Sequence, residues 1–199
     1  MGKLGNAKVF GGIGAILSLV GGFIPLIGVV LPLVGLILLF IAVKYIAEET
    51  KDDSIFRNYV LYFVCSIIAI VAAFAIIFIT IGGFSFLAFL HSEEMGEPGN
   101  FDSIVALLGG FFIALIVAWI LLIFGTMYLR KSYNHIAKNT KVDLFRTTGT
   151  VYFIGAITLI ILIGGLILLI AKILEIVAFF SLPENIPSEM EAAPSEILS

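Results

Sequence analysis

The stretch KVFGGIGAILSLVGGFIPLIGVVLPLVGLILLFIAVKYIA, residues 8–47, decides the class of fold. From Val9 to Ala47 it is one apolar tract of 39 residues that only Lys44 interrupts. As a single helix it would be roughly 58 Å long, about twice the hydrocarbon thickness of a bilayer. Pro25 and Pro32 remove backbone donors near its middle. We therefore predict two membrane spans joined by a tight turn, with a re-entrant hairpin as the alternative.

The rest of the chain has the same apolar character. Of its 199 residues, 61% are apolar and only 13% are charged, whereas soluble domains are about one quarter charged. A mean hydropathy of +1.19 leaves too little polar surface to cover a water-exposed globule. The single cysteine, Cys65, excludes an intrachain disulfide and a cysteine-based metal site. We predict an integral membrane protein with one transmembrane domain over residues 1–181.

Three further apolar blocks complete a polytopic, all-α helical bundle of five spans. The predicted spans are about 8–24, 29–47, 58–82, 104–129 and 148–171. Ten of the eleven Lys and Arg residues then fall on one side, with Lys172 as the exception. Basic loops stay in the cytoplasm, so we predict a cell-membrane protein with a cytoplasmic N-terminus and an extracellular C-terminus. Residues 182–199 are acidic and proline-bearing, which predicts a disordered extracellular tail.

Two charged segments resemble each other at an offset of 90 residues. The first reads IAEETKDDSIFR over residues 46–57, and the second reads IAKNTKVDLFR over residues 136–146. Each lies between a span that enters the cytoplasm and one that leaves it. We predict a parallel internal repeat of a two-helix unit, about 35–94 and 125–184, related by an axis along the membrane normal.

The repeated loops are candidate cytoplasmic interaction sites. Their candidate residues are Lys51, Asp53, Phe56, Arg57, Lys141, Asp143, Phe145 and Arg146. The cations of the second loop suit anionic lipid head groups. A simpler interpretation is that the two aspartates cap the helices that follow. Salt bridges between the acidic first loop and the basic second loop are a third account.

Small residues at four-residue spacing predict close helix packing. The stripes are Gly14, Ser18 and Gly22 in the first span, Cys65, Ala69 and Ala73 in the third, and Ala106, Gly110, Ala114 and Ala118 in the fourth. They close the bundle internally, or they meet a second copy or another membrane protein.

Signatures of chemistry are missing from the sequence. Phosphate-loop, zinc-protease and serine-hydrolase motifs do not occur. His91 and His135 fall on opposite sides of the predicted membrane, so they cannot share a metal. Lys172 and Glu175 are one helical turn apart, and we predict an ion pair at the outer end of the last span. We expect no catalytic residue, no metal, no cofactor and no nucleic-acid partner.

The first hypothesis for function is a non-enzymatic membrane protein that acts by helix packing with itself or with partner membrane proteins. The alternative is a small transporter or channel-like carrier of a neutral or lipidic solute. It requires a polar cavity between the repeats, lined by Thr80, Thr126 and Trp119. An intramembrane enzyme is a third hypothesis, which requires Tyr, His and Asp side chains to meet in the inner loops.

The hairpin of residues 11–47, followed by KDDSIFRNY at 51–59, resembles a family of prokaryotic multi-pass membrane proteins of unknown function, found largely in archaea. The resemblance rests on a Gly-rich first span, a proline-bearing turn, Ala-x-Lys-Tyr-Ile at 42–46, and Asp53, Ile55 and Phe56. The resemblance covers about residues 5–180. It implies an archaeal cell-membrane protein, and it implies no activity and no site.

Overall fold

The structure is a computed structural model, which describes residues 2–21, 24, 30–90 and 101–186. These residues form six α-helices, one 3₁₀ turn and no strand, which confirms the predicted all-α fold. The elements are α1 (Lys3–Gly21), α2 (Val30–Thr50), α3 (Asp53–Leu90), α4 (Phe101–Thr140), α5 (Leu144–Thr158), the 3₁₀ turn (Leu159–Ile161) and α6 (Ile163–Phe180). Only the backbone is described at residues 70, 73, 74, 77, 80, 81, 83–90, 101–104, 106 and 107.

Among the described residues, five segments are long and apolar enough to cross a membrane, the number that was predicted, although α3 is not one of them. They are α1, α2, Leu108–Thr140 within α4, Leu144–Ile161 and α6. The segments are not the predicted set, because the last apolar block supplies two of them. The predicted third span, 58–82, lies inside α3, an apolar helix of 38 residues.

Consecutive helices run antiparallel. In the first hairpin, Gly14 of α1 faces Gly35 of α2, and Lys3 at the start of α1 contacts Glu48 near the end of α2. Side-chain contacts also link α3 to α4 and α4 to α5, and these pairs are antiparallel as well. One core contains residues of all six helices, and its largest fully buried side chains include Leu4, Ile46, Ile55, Leu129, Tyr133, Phe145 and Phe179.

The last apolar block reverses direction instead of crossing as one helix. Leu162 adopts a left-handed conformation, with φ at 62°, between the 3₁₀ turn and α6. α6 then returns along α5, so that the Tyr152 hydroxyl meets the Glu175 carboxylate at 3.0 Å. The predicted single span 148–171 is therefore wrong.

Two glycines allow this reversal. A Cβ on Gly164 would overlap the carbonyl oxygen of Gly155 and the backbone of Leu159. A Cβ on Gly155 would press against Leu168, at 2.9 Å from its side chain. Because neither glycine has a side chain, α5 and α6 approach to backbone contact directly after the turn.

The reversal places both ends of the described chain together. A Cβ on Gly2 would lie 3.3 Å from the carbonyl oxygen of Glu184, and Leu182 is buried in the common core. The prediction that the termini lie on opposite sides is therefore wrong. Residues 182–186, which were assigned to the predicted tail, are described, and residues 187–199 lie outside the described part. We call this end of the bundle, where α1 begins, α6 ends and the α2–α3 and α4–α5 turns lie, the charged end.

The two repeated turns share their local geometry. Lys51 and Lys141, which are 90 residues apart, both adopt positive φ, at 54° and 60°. Before each turn, the hydroxyl of Thr50 or Thr140 donates to the carbonyl four residues earlier, at 2.8 Å. The units differ after the turn, since α3 continues for 38 residues whereas α5 ends after 15. The duplication itself stays a prediction.

Candidate functional site

A buried carboxylate joins three helices near the charged end. Glu175 of α6 is 3% exposed. It accepts hydrogen bonds from the hydroxyls of Tyr133 of α4 and Tyr152 of α5. Lys172, one turn earlier on α6, donates to the same carboxylate at 2.5 Å. Every polar group of this cluster therefore has a partner, as an ionised group inside a membrane bundle requires.

Aromatic rings enclose this carboxylate cluster. Phe145 packs edge-on against Tyr133, with ring centroids 5.4 Å apart, and against Phe179 at 5.1 Å. Tyr59 and Tyr62 of α3 form a further edge-on pair at 5.7 Å. The rings limit the access of water, so the ion pair and its tyrosine donors act as a cross-link between α4, α5 and α6.

The reversal of α6 determines where this cluster lies. As one outgoing span, residues 148–171 would have carried Lys172 and Glu175 to the opposite end of the bundle. Instead, both side chains lie beside Tyr133, in the half of the bundle that contains all other Lys and Arg residues. The prediction of a pair at the outer end is therefore wrong, although the pairing of the two residues is observed.

A second polar cluster connects the α2–α3 turn to α4. The Asp52 carboxylate lies 2.9 Å from His135 Nδ1 and accepts a hydrogen bond from Asn139 Nδ2, also at 2.9 Å. It also accepts hydrogen bonds from the hydroxyl and the backbone N–H of Ser54, which is how a helix N-cap binds the first turn. The capping residue is thus Asp52, where the sequence suggested Asp53.

Hydrogen bonding keeps this carboxylate ionised. Partial burial disfavours its charge, but the hydrogen bonds from Ser54, His135 and Asn139 outweigh burial and lower the pKa of Asp52 to about 2. The unfolded pKa of an aspartate is near 3.9. The stabilisation is therefore present above about pH 4 and is lost as the pH falls through about 2.

The cluster brings Ser, His and Asp together, but it lacks the geometry of a catalytic triad. A triad uses one imidazole nitrogen for the acid and the other for the hydroxyl. Here, His135 Nδ1 faces both Asp52 and the Ser54 hydroxyl, the latter at 3.2 Å. The arrangement matches a cap that holds the turn against α4. The contact also joins the two loop regions, between which salt bridges were one prediction. Here the partners are Asp52 and His135.

We expect replacement of Asp52 by asparagine to lower the free energy of unfolding by about 1–2 kcal/mol at neutral pH. The difference from the parent should shrink as the pH falls from about 4 towards 2, because the unfolded parent then binds a proton that the folded Asp52 carboxylate, with its pKa of about 2, does not. Melting temperatures in detergent between pH 2.5 and 7 measure this. Asp53→Asn is the matched control, since Asp53 is exposed and no hydrogen bond from its side chain occurs in the described residues. Equal losses for the two variants would contradict the assignment.

The candidate loop residues divide into exposed charged side chains and aromatic rings that are half-buried or buried. The exposed members are Lys51, Arg57, Lys141, Asp53, Asp143 and Arg146, the last 3.7 Å from Asp143. Phe56 is half-buried and packs edge-on against Phe40 at 4.9 Å. Phe145 is fully buried, so its assignment to an interaction surface is wrong, because the first turn of α5 faces α6.

The small-residue stripes fall partly inside the bundle. Gly14 and Ser18 of α1 contact Gly35 of α2, where a Cβ on Gly35 would lie 2.7 Å from the Ser18 nitrogen. In α4, Ala114 is 1% exposed, whereas Gly110 and Ala118 are half-buried. Ala69 of α3 is buried and Cys65 is half-buried. Gly22 lies outside the described residues, as do the side chains of Ala73 and Ala106.

The described side chains that were predicted to line a solute cavity instead form hydrogen bonds to backbone carbonyls of the bundle. Thr126 is 2% exposed and donates to the carbonyls of Leu122 and Ile123 in its own helix. The indole N–H of Trp119 donates to the carbonyl of Ala156 in α5 at 2.8 Å. The side chain of Thr80 lies outside the described part. These contacts give no support to the carrier hypothesis.

Among the described residues, no group of three His, Cys, Asp or Glu side chains could hold a metal ion. His91, the other histidine considered for metal binding, lies outside the described residues.

Comparison with known proteins identifies the family to which this chain belongs. A family described as "Protein of unknown function (DUF996)" matches residues 31–173. The chain is 34% identical over 187 residues to an uncharacterized protein of Methanocaldococcus jannaschii, MJ1644, covering 94% of this chain and 97% of that protein. The chain therefore belongs to the DUF996 family. No solved structure matches it.

Proposed function

We propose that this protein is a non-enzymatic, multi-pass protein of the cell membrane that acts by packing α3 and α4 against a second copy of itself. The observation that carries the proposal is the excess length of these two helices. At about 1.5 Å per residue, α3 and α4 are roughly 57 and 60 Å long, whereas α1 and α2 reach roughly 28 and 32 Å. The outer part of the long pair therefore extends past both short hairpins.

The outer part of α4 exposes a continuous apolar face. The Trp119 contact lies near the tip of the α5–α6 hairpin, and eighteen more residues of α4 extend beyond it. Exposed side chains on this part include Val105, Leu108, Phe112 and Ile116, at 48–59% exposure. Their spacing of three or four residues places them along one side of the helix.

Gly109 lies within this apolar face and has open space in front of it. A Cβ on Gly109 would meet no atom within 4 Å. Small residues in membrane helices allow a second helix to approach closely. A glycine with open space in front of it among the described residues, flanked by large apolar side chains, supports a contact with another molecule.

The distribution of charge supports an orientation for this protein. All eleven Lys and Arg residues, Lys172 included, lie in the half of the bundle at the charged end. By the positive-inside rule this end faces the cytoplasm, which makes both chain ends cytoplasmic. Exposed Lys51, Lys138 and Lys141 support contact with anionic lipid head groups at this surface.

Replacing Gly109 by leucine tests the proposed self-association. The variant fills space that is empty in the single chain, so we expect an unchanged melting temperature and a loss of at least about 1.4 kcal/mol of association, a tenfold weaker dimer. Native mass spectrometry from lipid nanodiscs and single-molecule photobleaching measure the dimer fraction.

Gly165→Leu is the matched control, because a Cβ on Gly165 also meets nothing within 4 Å but lies on α6. A parent protein that is monomeric at every protein-to-lipid ratio overturns self-association. A different polypeptide in fixed ratio would assign the α4 face to a partner membrane protein instead.

A further inference from the structure

A groove of about 230 Å³ opens at the charged end, between the start of α1 and the end of α6. It is lined by Gly2, Gly5, Lys8, Val9, Phe180 and Glu184. Most of this lining is apolar, and the ring of Phe180 lies across Gly12, where a Cβ would be 2.5 Å from it. Pockets that enclose drug-sized ligands measure roughly 300–1,000 Å³, so the groove admits a small group or one end of a longer molecule.

The groove carries one charge of each sign. Lys8 lies on α1, and Glu184 follows the end of α6. Among the residues that the structure describes, neither side chain forms an ion pair, and the two do not pair with each other. A purely anionic ligand would meet the Glu184 carboxylate, and a purely cationic ligand would meet the Lys8 ammonium, both at the cost of like charges placed together. A ligand with one charge of each sign gives both side chains a partner.

Two stripes of exposed apolar side chains start at this groove and lead away from the charged end. On α1 the stripe consists of Val9, Ile13, Ile16 and Val20. On α6 it consists of Phe180, Val177, Ile173 and Ile170. Steps of three or four residues keep each stripe on one side of its helix. A molecule with its charged end in the groove can therefore place hydrocarbon chains along both helices.

We propose that this groove binds the head group of a zwitterionic phospholipid, with the phosphate at Lys8, the ammonium at Glu184 and the acyl chains along the two stripes. Hydrogen bonds between ionised groups, such as ammonium to phosphate and ammonium to carboxylate, are about twice as strong as neutral ones. The bound lipid links α1 to the segment after α6. The site uses neither α3 nor α4, so it is independent of the dimer proposed above.

Native mass spectrometry of the full chain tests this site. Phosphatidylethanolamine is the zwitterionic probe, and phosphatidylglycerol with the same acyl chains is the anionic probe; both are added in equal amounts to delipidated protein in detergent. We expect the parent to retain one phosphatidylethanolamine, and Lys8→Gln to bind it at least about tenfold more weakly, because a hydrogen bond between charged groups is lost. Glu184→Lys should reverse the choice, so that phosphatidylglycerol becomes the preferred lipid.

Two control variants separate the groove from the rest of the surface. Lys138→Gln removes the same charge from an exposed site outside the groove, and it should leave the retained lipid in place. Val9→Trp fills the groove without a change of charge and should displace the lipid, whereas Val34→Trp, at a similar exposure on α2, should not.

Three outcomes overturn the proposal. The first is a parent protein that retains no phosphatidylethanolamine or prefers phosphatidylglycerol. The second is an equal loss of lipid from Lys8→Gln and Lys138→Gln, or from the two tryptophan variants. The third is a Glu184→Lys variant with the same choice of lipid as the parent.

Discussion

Replacing Glu175 by leucine is expected to lower the free energy of unfolding by about 3–5 kcal/mol, the cost of removing one partner from a buried ion pair. The change leaves the Lys172 ammonium without its counter-charge, at 20% side-chain exposure. It also leaves the hydroxyls of Tyr133 and Tyr152 without their common acceptor. Thermal unfolding in detergent, followed by the helical signal, measures the loss.

Two further variants separate charge from hydrogen bonding at this carboxylate. Glu175→Gln retains an acceptor for the tyrosines, so its loss should be smaller than that of leucine. The double variant Lys172→Leu with Glu175→Leu removes both charges, and we expect it to recover most of the stability, since apolar replacement of a whole buried pair is often neutral. If the double variant is no more stable than Glu175→Leu, the ion pair is not the source of the loss.

Replacing Gly164 by alanine is expected to destabilise the hairpin of α5 and α6 by more than about 3 kcal/mol, at the upper end for an overpacked site. The added methyl group would overlap backbone atoms of Gly155 and Leu159, which cannot move aside as a side chain can. Gly165→Ala is the neighbouring control. Its methyl group meets nothing within 4 Å, so its effect should stay within about 1 kcal/mol.

The hairpin also has a consequence for labelling. In sealed vesicles, with Cys65→Ser, thiols at Asn185→Cys and Lys141→Cys should react from the same side in the parent protein. With Gly164→Ala, the side at which Asn185→Cys reacts should become mixed, because the alternative to the hairpin is a straight helix. Reaction from opposite sides in the parent would contradict the reversal at Leu162.

The two hairpins differ in how well the sequence predicts them. In the sequence, Pro25 and Pro32 mark where the first apolar tract is divided. α1 ends and α2 begins near the expected positions. The second hairpin has no proline, and its turn residue is Leu162. A left-handed leucine costs roughly 1–2 kcal/mol, so no propensity rule indicates it. Tertiary contacts of Gly155 and Gly164 offset that cost, and sequence does not distinguish Gly164 from Gly165.

The error in the candidate site follows from the error in the hairpin. Spacing alone predicted that Lys172 and Glu175 would pair. Their depth in the bundle, and their contact with Tyr133 and Tyr152, depend on which way α6 runs. The shared turns were easier to predict, since the matching polar residues around Lys51 and Lys141 come with matching backbone conformations.

The arrangement of connections simplifies membrane insertion. In the proposed orientation, the segments that must pass to the far side are 22–29, 91–100 and 159–162. None contains Lys or Arg, and only 91–100 has acidic residues. Each pair of helices can therefore enter the bilayer as a hairpin without moving an ammonium or guanidinium group through hydrocarbon, the most costly step in translocation. In the proposed orientation, Lys172 would be the exception if α6 continued outward, whereas the reversal at Leu162 places it with the other basic residues at the charged end.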